Sequence, residues 1–431
     1  MAELTEETRP GGRAGGGARA AGVALVALGA VMAAVVALTT PWDPLGGAPA
    51  VPADPARDFT PAQISRAAAF DAAVSPPSYL SLAVTLLVAG ALVLTPVGAW
   101  AVGRLRGPWW LRALAGVLLL SAVTLLLKWP FGMWYETRLR AYGLSTQGWA
   151  GWSADRLKSF AVQTVLVAVM ILAVVWLARR LPARWWIPAA AGAFVLTVAA
   201  SFAYPVVVEP LFSDFKPLPR GPLRAELIAM AGRDGVPVRD VLVADASRRT
   251  SALNAYVSGF GATRRVVVYD TLLRAPEKEV VLVVAHELGH AREDDVLYGT
   301  LVGGLGAAAG ACLLYLVAGA PAVRRRAGTP SVGDPRSVGL LLGLITLASV
   351  LAGPAENVVS RAIEARADVH ALDLTRDPAT FVAMQKRLAV TNLSDLSPDA
   401  VDYLLHASHP TTPQRIALAR AWARENGLPE P

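Results

Sequence analysis

His286 and His290 stand four positions apart, and Glu287 follows the first of them directly. They are two of only five histidines in 431 residues. On an α-helix, positions i and i+4 share a face. The two imidazoles can therefore offer ring nitrogens to one metal ion. Glu287 is turned by about 100° from that face, close enough to reach a water at the metal without being a ligand. This order of residues suits metal-assisted hydrolysis. A zinc ion brings the pKa of water to roughly 7, so a nearby carboxylate can take its proton at neutral pH.

Such a site needs a third protein ligand. The segment ENVVSRAIEARADVHAL (356–372) offers Glu364 and Asp368, again four apart on one helical face. Glu364 is the preferred third ligand, with Glu293, Glu356 and His370 as alternatives. Asp368 could then accept a hydrogen bond from a ligating imidazole and fix its tautomer. Taken alone, the segment reads better as a solvated charged helix; it is the histidine pair that demands a partner. HASHPTTPQRI (406–416) adds His409 and Arg415, which could stabilise an oxyanion. Spacing alone fits equally well a Pro-rich loop leading into a helix at 413–424.

The elements that must position these residues are partly legible. Residues 276–294 read as a helix, with Pro276 at its start and Glu277 and Glu279 in its first turn, and it carries the histidine pair. Before it, 222–234 reads as a helix and 241–245, 254–259 and 264–270 as strands, the last two joined through a Gly259–Gly261 turn.

Most of the remaining chain is built for lipid. It is 54% hydrophobic and only 17% charged, with a mean hydropathy of +0.44; ordinary soluble domains carry about 25% charge. The excess is segmental. Seven runs approach the roughly 20 residues that span a bilayer as a helix: about 20–40, 79–102, 111–127, 160–178, 185–207, 296–318 and 337–353. The first is longer than the apolar part of a signal peptide, so an uncleaved helix is expected. The organisation is thus a disordered basic tail at 1–19, spans one to five within 20–207, a first polar block at 208–295, spans six and seven within 296–353, and a second polar block at 354–431. Residues 41–78 read as a Pro/Ala/Asp-rich loop. The single cysteine, Cys312, leaves no intramolecular disulfide and no cysteine-based metal site. The net charge of +7 sits as arginines between spans, and no nucleic-acid motif accompanies it. Arg9, Arg13 and Arg19, then Arg104, Arg106 and Arg112, then Arg179, Arg180 and Arg184, then Arg324, Arg325, Arg326 and Arg336 all fall on one side of a seven-span scheme. The positive-inside rule makes that side cytoplasmic and turns the polar blocks outward.

Taken in order, YETRLRAYGLST (135–146), EPLFSDFKPLP (209–219), NAYVSGFGATRRVVVYDTLL (254–273), HELGH (286–290), SRAIEARAD (360–368) and HASHPTTPQRI (406–416) resemble the type I CAAX prenyl protease family of membrane gluzincin metallopeptidases, from about residue 75 to 420. HELGH is shared by many zinc peptidases; the ordered set is far more specific. The resemblance implies a mainly α, polytopic membrane protein of about seven helices around a water-filled chamber. A gluzincin-like α+β protease domain would be split by the last two spans. It implies one zinc per chain on His286, His290 and Glu364, with Asp368 behind them and Glu287 as general base. His409 and Arg415 would meet the transition state, and the strand begun by Asn254, Ala255 and Tyr256 would pair with substrate backbone.

The chain also departs from the family pattern. SDF replaces a usual NKF, and the 41–78 loop and basic tail have no recognised counterpart. The Ala/Gly/Arg bias is bacterial in kind, where prenylated substrates are not expected. The implied function is an integral-membrane zinc endopeptidase in a cell membrane, acting on membrane or envelope proteins or peptides. An inactive scaffold homologue is the alternative, and the intact Glu287 argues against it. A transporter or receptor with a chance motif would be expected to carry ionisable residues within its spans, and the runs 20–40, 79–102, 160–178 and 296–318 hold none.

Overall fold

The computed structural model describes residues 11–47, 49–259 and 264–431. Among them, seven helices are long and apolar enough to cross a membrane. They are α1 (Gly11–Thr39), α2 (Pro61–Leu94), α3 (Trp109–Ala141), α4 (Trp149–Arg180), α5 (Trp186–Ala203, continued by a π turn over Tyr204–Val208), and the later α8 (Asp295–Gly319) and α9 (Val338–Thr375). Helix α8 packs on α1 and α5, while α2 packs on α3 and α9, and α4 on α3. Prolines inside α2, α3 and α9 are tolerated because neighbouring helices compensate the lost main-chain bond. Gly98 and Gly339 face each other so closely that a Cβ on either would come within 3.0 Å of the other's Cα. Small residues of this kind let membrane helices approach at the backbone.

Between α5 and α8 lie β1 (Phe215–Pro217), α6 (Pro222–Arg233), β2 (Asp240–Ala244), β3 (Ala255–Ser258), β4 (Arg265–Tyr269) and α7 (Glu277–Arg292). The sheet order is β1-β2-β4-β3. Strands β2 and β4 run parallel, with Leu242 opposite Val267. Strand β3 is antiparallel to β4 and forms an edge. After α9 come α10 (Pro378–Asn392), α11 (Ala400–His406) and α12 (Thr412–Glu425). Helix α7 is the centre of this polar unit. It contacts β3, α6, α9 and α10, and Val280 through Ala285 are all buried. A helix covered on every side is apolar on every side, which explains its unbroken VVLVVA run. Its core includes Leu227, Met230, Val266, Val268, Phe381 and Trp422; each such side chain contributes roughly 1.5–3 kcal/mol by burial.

Helix α9 joins bundle and polar unit. Its 38 residues give about 57 Å at 1.5 Å per residue, well beyond the roughly 30 Å hydrocarbon core of a bilayer. Its first half packs among membrane helices and its second half delivers Glu364 and Asp368 to α7.

Four expectations are corrected here. The described part of the 1–19 tail, 11–19, is helical: this Gly/Ala/Arg stretch continues the apolar run as the start of α1. The 41–78 segment is not a loop throughout. A short helix at Pro55–Asp58 precedes α2, which starts at Pro61 behind a Thr60–Gln63 capping box. Asp58 pins it down, accepting two bonds from the buried Arg420 at 2.6 and 2.8 Å with Lys386 at 3.1 Å. The second span does not reach residue 102, because the chain breaks at Thr95–Pro96 and restarts as a short helix at Val97–Gly103. The seventh does not stop at 353, since Pro354 lies inside α9 without ending it. Gly259 has φ +90°, while the rest of the expected Gly259–Gly261 turn lies outside the described residues.

Candidate metal centre

Helices α7 and α9 cross so that His286, His290 and Glu364 face one another. His286 Nε2 lies 3.1 Å from a Glu364 carboxylate oxygen and 3.2 Å from His290 Nε2. His290 Nε2 lies 3.4 Å from the other Glu364 oxygen. One donor atom from each falls within 4.8 Å of the other two. The far sides of both rings are taken: His286 Nδ1 meets Asp368 at 2.9 Å, and His290 Nδ1 meets Asp295 at 2.9 Å. Carboxylates at Nδ1 hold the proton there and leave the Nε2 lone pairs directed at Glu364. Three acceptors converging in a buried place leave a demand for positive charge. Burial disfavours a charged imidazole at His290, yet Asp295 and Glu364 outweigh it and lift its pKa to about 10. A donor set of two imidazoles, each held from behind, and a carboxylate fits a zinc ion.

The alternatives for the third position are engaged elsewhere. Glu293 pairs with Arg366 at 3.5 Å. His370 bonds Asp234 at 3.0 Å and packs over Gly289, where an added Cβ would sit 3.1 Å from its ring. Glu356 is exposed, about 12 Å along the helix from Glu364.

Glu287 stands outside the ligand cluster and lines a cavity of about 730 Å³ with His286, Glu364, His409 and Arg415. Burial pushes its carboxyl above the usual range, with His286 and His290 pulling the other way. His409 Nε2 lies 3.3 Å from Glu364, and its side chain is 57% exposed. Arg415 is committed inward. Its guanidinium forks onto Asp368, with Nε 2.7 Å from one oxygen and Nη2 close to the other. With the amide of the buried Gln385 turned to face its oxygen inward, that oxygen accepts from the same guanidinium at 3.1 and 3.2 Å. Arg415 thus holds Asp368, which holds His286.

Beside the cavity runs the free edge of β3. Asn254 O accepts from Tyr269 N at 3.0 Å, so in an antiparallel ladder the outward main-chain groups belong to Ala255 and Val257. The Asn254 side chain accepts from Ala255 N at 3.0 Å. Tyr256 turns its main chain toward β4 and sets its ring edge-on to Tyr269.

Asp295 and Gln385 are absent from the sequence reading. Asp295 opens α8 just past Asp294, whose φ of +55° breaks α7 from α8, and an acid at a helix start needs no other explanation. Its second oxygen is held by Arg366. Asp295→Ala is expected to weaken metal affinity by roughly 10–100-fold, with Asp295→Asn in between because an amide oxygen still accepts from Nδ1–H. Competition against a graded chelator series measures this directly.

Comparison with known proteins agrees with this architecture. Residues 217–423 match the family model described as peptidase family M48, and residues 47–214 match that of the CAAX prenyl protease N-terminal region, five membrane helices. The second match begins at 47, so the 41–78 segment has a counterpart after all from that point. The chain is 31% identical over 328 residues to the uncharacterized metalloprotease YhfN of Bacillus subtilis, covering 74% of this chain and 75% of that one. It is 31% identical over 317 residues to the CAAX prenyl protease 1 homolog of Oryza sativa, covering 71% and 72%. It is 26% identical over 319 residues to CAAX prenyl protease 1 of Saccharomyces cerevisiae, covering 69% and 70%. The crystal structure of S. mikatae Ste24p superposes with a TM-score of 0.74 at 21% identity, over 93% of this chain and 98% of that one.

Proposed function

Because this chain belongs to the CAAX prenyl protease family of M48 zinc metallopeptidases and is a multi-pass membrane protein, we propose that it is an endopeptidase whose reaction runs at His286, Glu287, His290 and Glu364. The observation that carries this reading is the convergence of a carboxylate with two Nε2 atoms whose rings are braced from behind, beside a cavity that also holds the half-buried Glu287. His286, His290 and Glu364 would hold a zinc ion, which would supply a Lewis acid and lower the pKa of a nearby water. Glu287 takes the proton of the attacking water and returns it to the leaving amide nitrogen. His409 donates to the oxygen on which negative charge develops, and Arg415 keeps Asp368 and His286 in register. The outward carbonyl of Ala255 and the outward groups of Val257 pair with an extended substrate segment, with Asn254 at the cavity end of the strand. Backbone pairing reads sequence weakly, so selectivity should be broad.

His409→Ala is expected to lower kcat by roughly 10²–10³ with little change in KM, read from initial rates on an unstructured fluorogenic peptide. Arg415→Ala adds a second defect. It strands the buried Asp368 charge, at a cost of about 3–5 kcal/mol, so its melting temperature should fall where that of His409→Ala does not.

The substrates proposed are membrane or envelope proteins met outside the cytoplasm. The arginine-bearing loops support this. Arg179 donates to Gly333 O at 3.1 Å and Tyr315 to Ala183 O at 3.0 Å, so those loops gather at one end of the bundle. The 142–148 loop meets the polar unit, Ser251 donating to Gly143 O at 2.8 Å. Ser397 is exposed and Cys312 is buried. Ser397→Cys in a Cys312→Ala background should therefore react with a membrane-impermeant thiol reagent in intact cells with a permeabilised outer layer. Labelling only after lysis would place the site in the cytoplasm.

A further inference from the structure

A second cavity, of about 580 Å³, lies between α2, α3, α4 and α9 among the membrane-crossing segments, and the metal ligands are not part of its wall. Its lining includes two cations, Lys128 of α3 and Arg156 of α4, and no aspartate or glutamate. Among the described residues Lys128 has no hydrogen-bond or ion-pair partner, and Arg156 has only the Trp152 ring, 5.4 Å away. The acids nearest in sequence are spoken for. Glu136, two turns beyond Lys128, accepts from Arg140 at 2.8 Å and Ser145 at 2.6 Å. Asp155, next to Arg156 but about 100° round the helix, accepts from Gln147 at 2.6 Å and Lys158 at 3.4 Å.

A cation inside a membrane bundle is expensive unless something compensates it. Here a half-buried lysine and an exposed arginine share one cavity, and a third donor waits beside them. Trp152 is 5% exposed, and its indole Nε1–H is buried without an acceptor. The hydroxyls of Ser78, Thr85, Thr124 and Ser159 spend their protons on carbonyls of their own helices, whereas the two cations of the wall and the buried Trp152 N–H are unspent. Such a wall gives a cation no carboxylate and gives an anion three donors. The opposite lining, with Val88, Leu92, Leu120, Leu125 and Leu342, is aliphatic. The volume lies in the range of small-molecule sites, enough for a head group and the start of a chain.

We propose that this cavity binds the anionic head of a membrane amphiphile, a phosphate or carboxylate on an apolar tail, held by Lys128, Arg156 and the Trp152 N–H.

The test uses the full chain in phosphatidylcholine bilayers containing a minor fraction of phosphatidylglycerol, followed by native mass spectrometry of the lipids it retains. The wild type should hold phosphatidylglycerol in preference to phosphatidylcholine. Lys128→Gln with Arg156→Gln should reduce that retention roughly tenfold or more, the loss expected for two charge-assisted contacts. Arg106→Gln, an exposed loop arginine, should not. Equal retention by wild type and double variant, or an equal loss in Arg106→Gln, would overturn the proposal. Should the double variant fail to insert, the wild type must still bind dodecyl phosphate over dodecyl trimethylammonium; the reverse preference overturns the proposal too. Displacement of the lipid by a free-acid peptide but not by its amide would assign the cavity to substrate, and the lipid site would be withdrawn.

Discussion

Glu287→Gln should retain its zinc and its fold and lose peptide hydrolysis by several orders of magnitude. The substitution keeps the shape of the side chain and removes only its ability to take a proton. A general base alone contributes about 10²–10⁴, and the same carboxyl here also returns the proton to the leaving nitrogen. None of the contacts made by His286, His290 and Glu364 to one another or to Asp368 and Asp295 passes through Glu287, so the metal should stay. Single-turnover rates on a fluorogenic peptide, beside elemental analysis of the same preparation, separate the two effects. Activity near that of the wild type would mean that another group is the base.

Glu364→Ala should fail in the opposite way, losing the metal first and activity as a consequence. The carboxylate sits within 3.4 Å of both Nε2 atoms, whereas the acids that bond the Nδ1 atoms, Asp368 and Asp295, are on the far sides of the rings. Removing it leaves two imidazoles, too few to hold zinc in a site that also keeps a position open. Zinc should be stripped by chelators that leave the wild type loaded. Retention of the ion under those conditions would show that the ligand set is a different one.

The chemistry was legible in sequence because helix periodicity is short-range. His286–His290 and Glu364–Asp368 are both i, i+4 pairs, and each needs only its own helix to be right. Strands β2, β3 and β4 announced themselves through Val-rich alternation next to glycine. What escaped depends on contacts between distant segments. Asp295 becomes a histidine partner only because Asp294 adopts a left-handed conformation and turns α8 back on α7. The Pro55–Asp58 helix looks like loop until Arg420, 362 residues away, closes on Asp58. Pro354 looks like the end of a span, yet neighbouring helices carry α9 straight through it. The unpartnered charge of Lys128 was hidden because the apolar run of α3 seems to end at Leu127, whereas the helix continues to Ala141.

The central claim is that His286, His290 and Glu364 together hold one zinc ion. Zinc-edge X-ray absorption on the purified wild-type chain, with metal stoichiometry on the same sample, tests it most directly. The expected result is one zinc per chain, coordinated only by nitrogen and oxygen, with two imidazoles at roughly 2.0–2.1 Å. A chain that binds no zinc, or whose zinc shows one imidazole or a sulfur ligand, would contradict it.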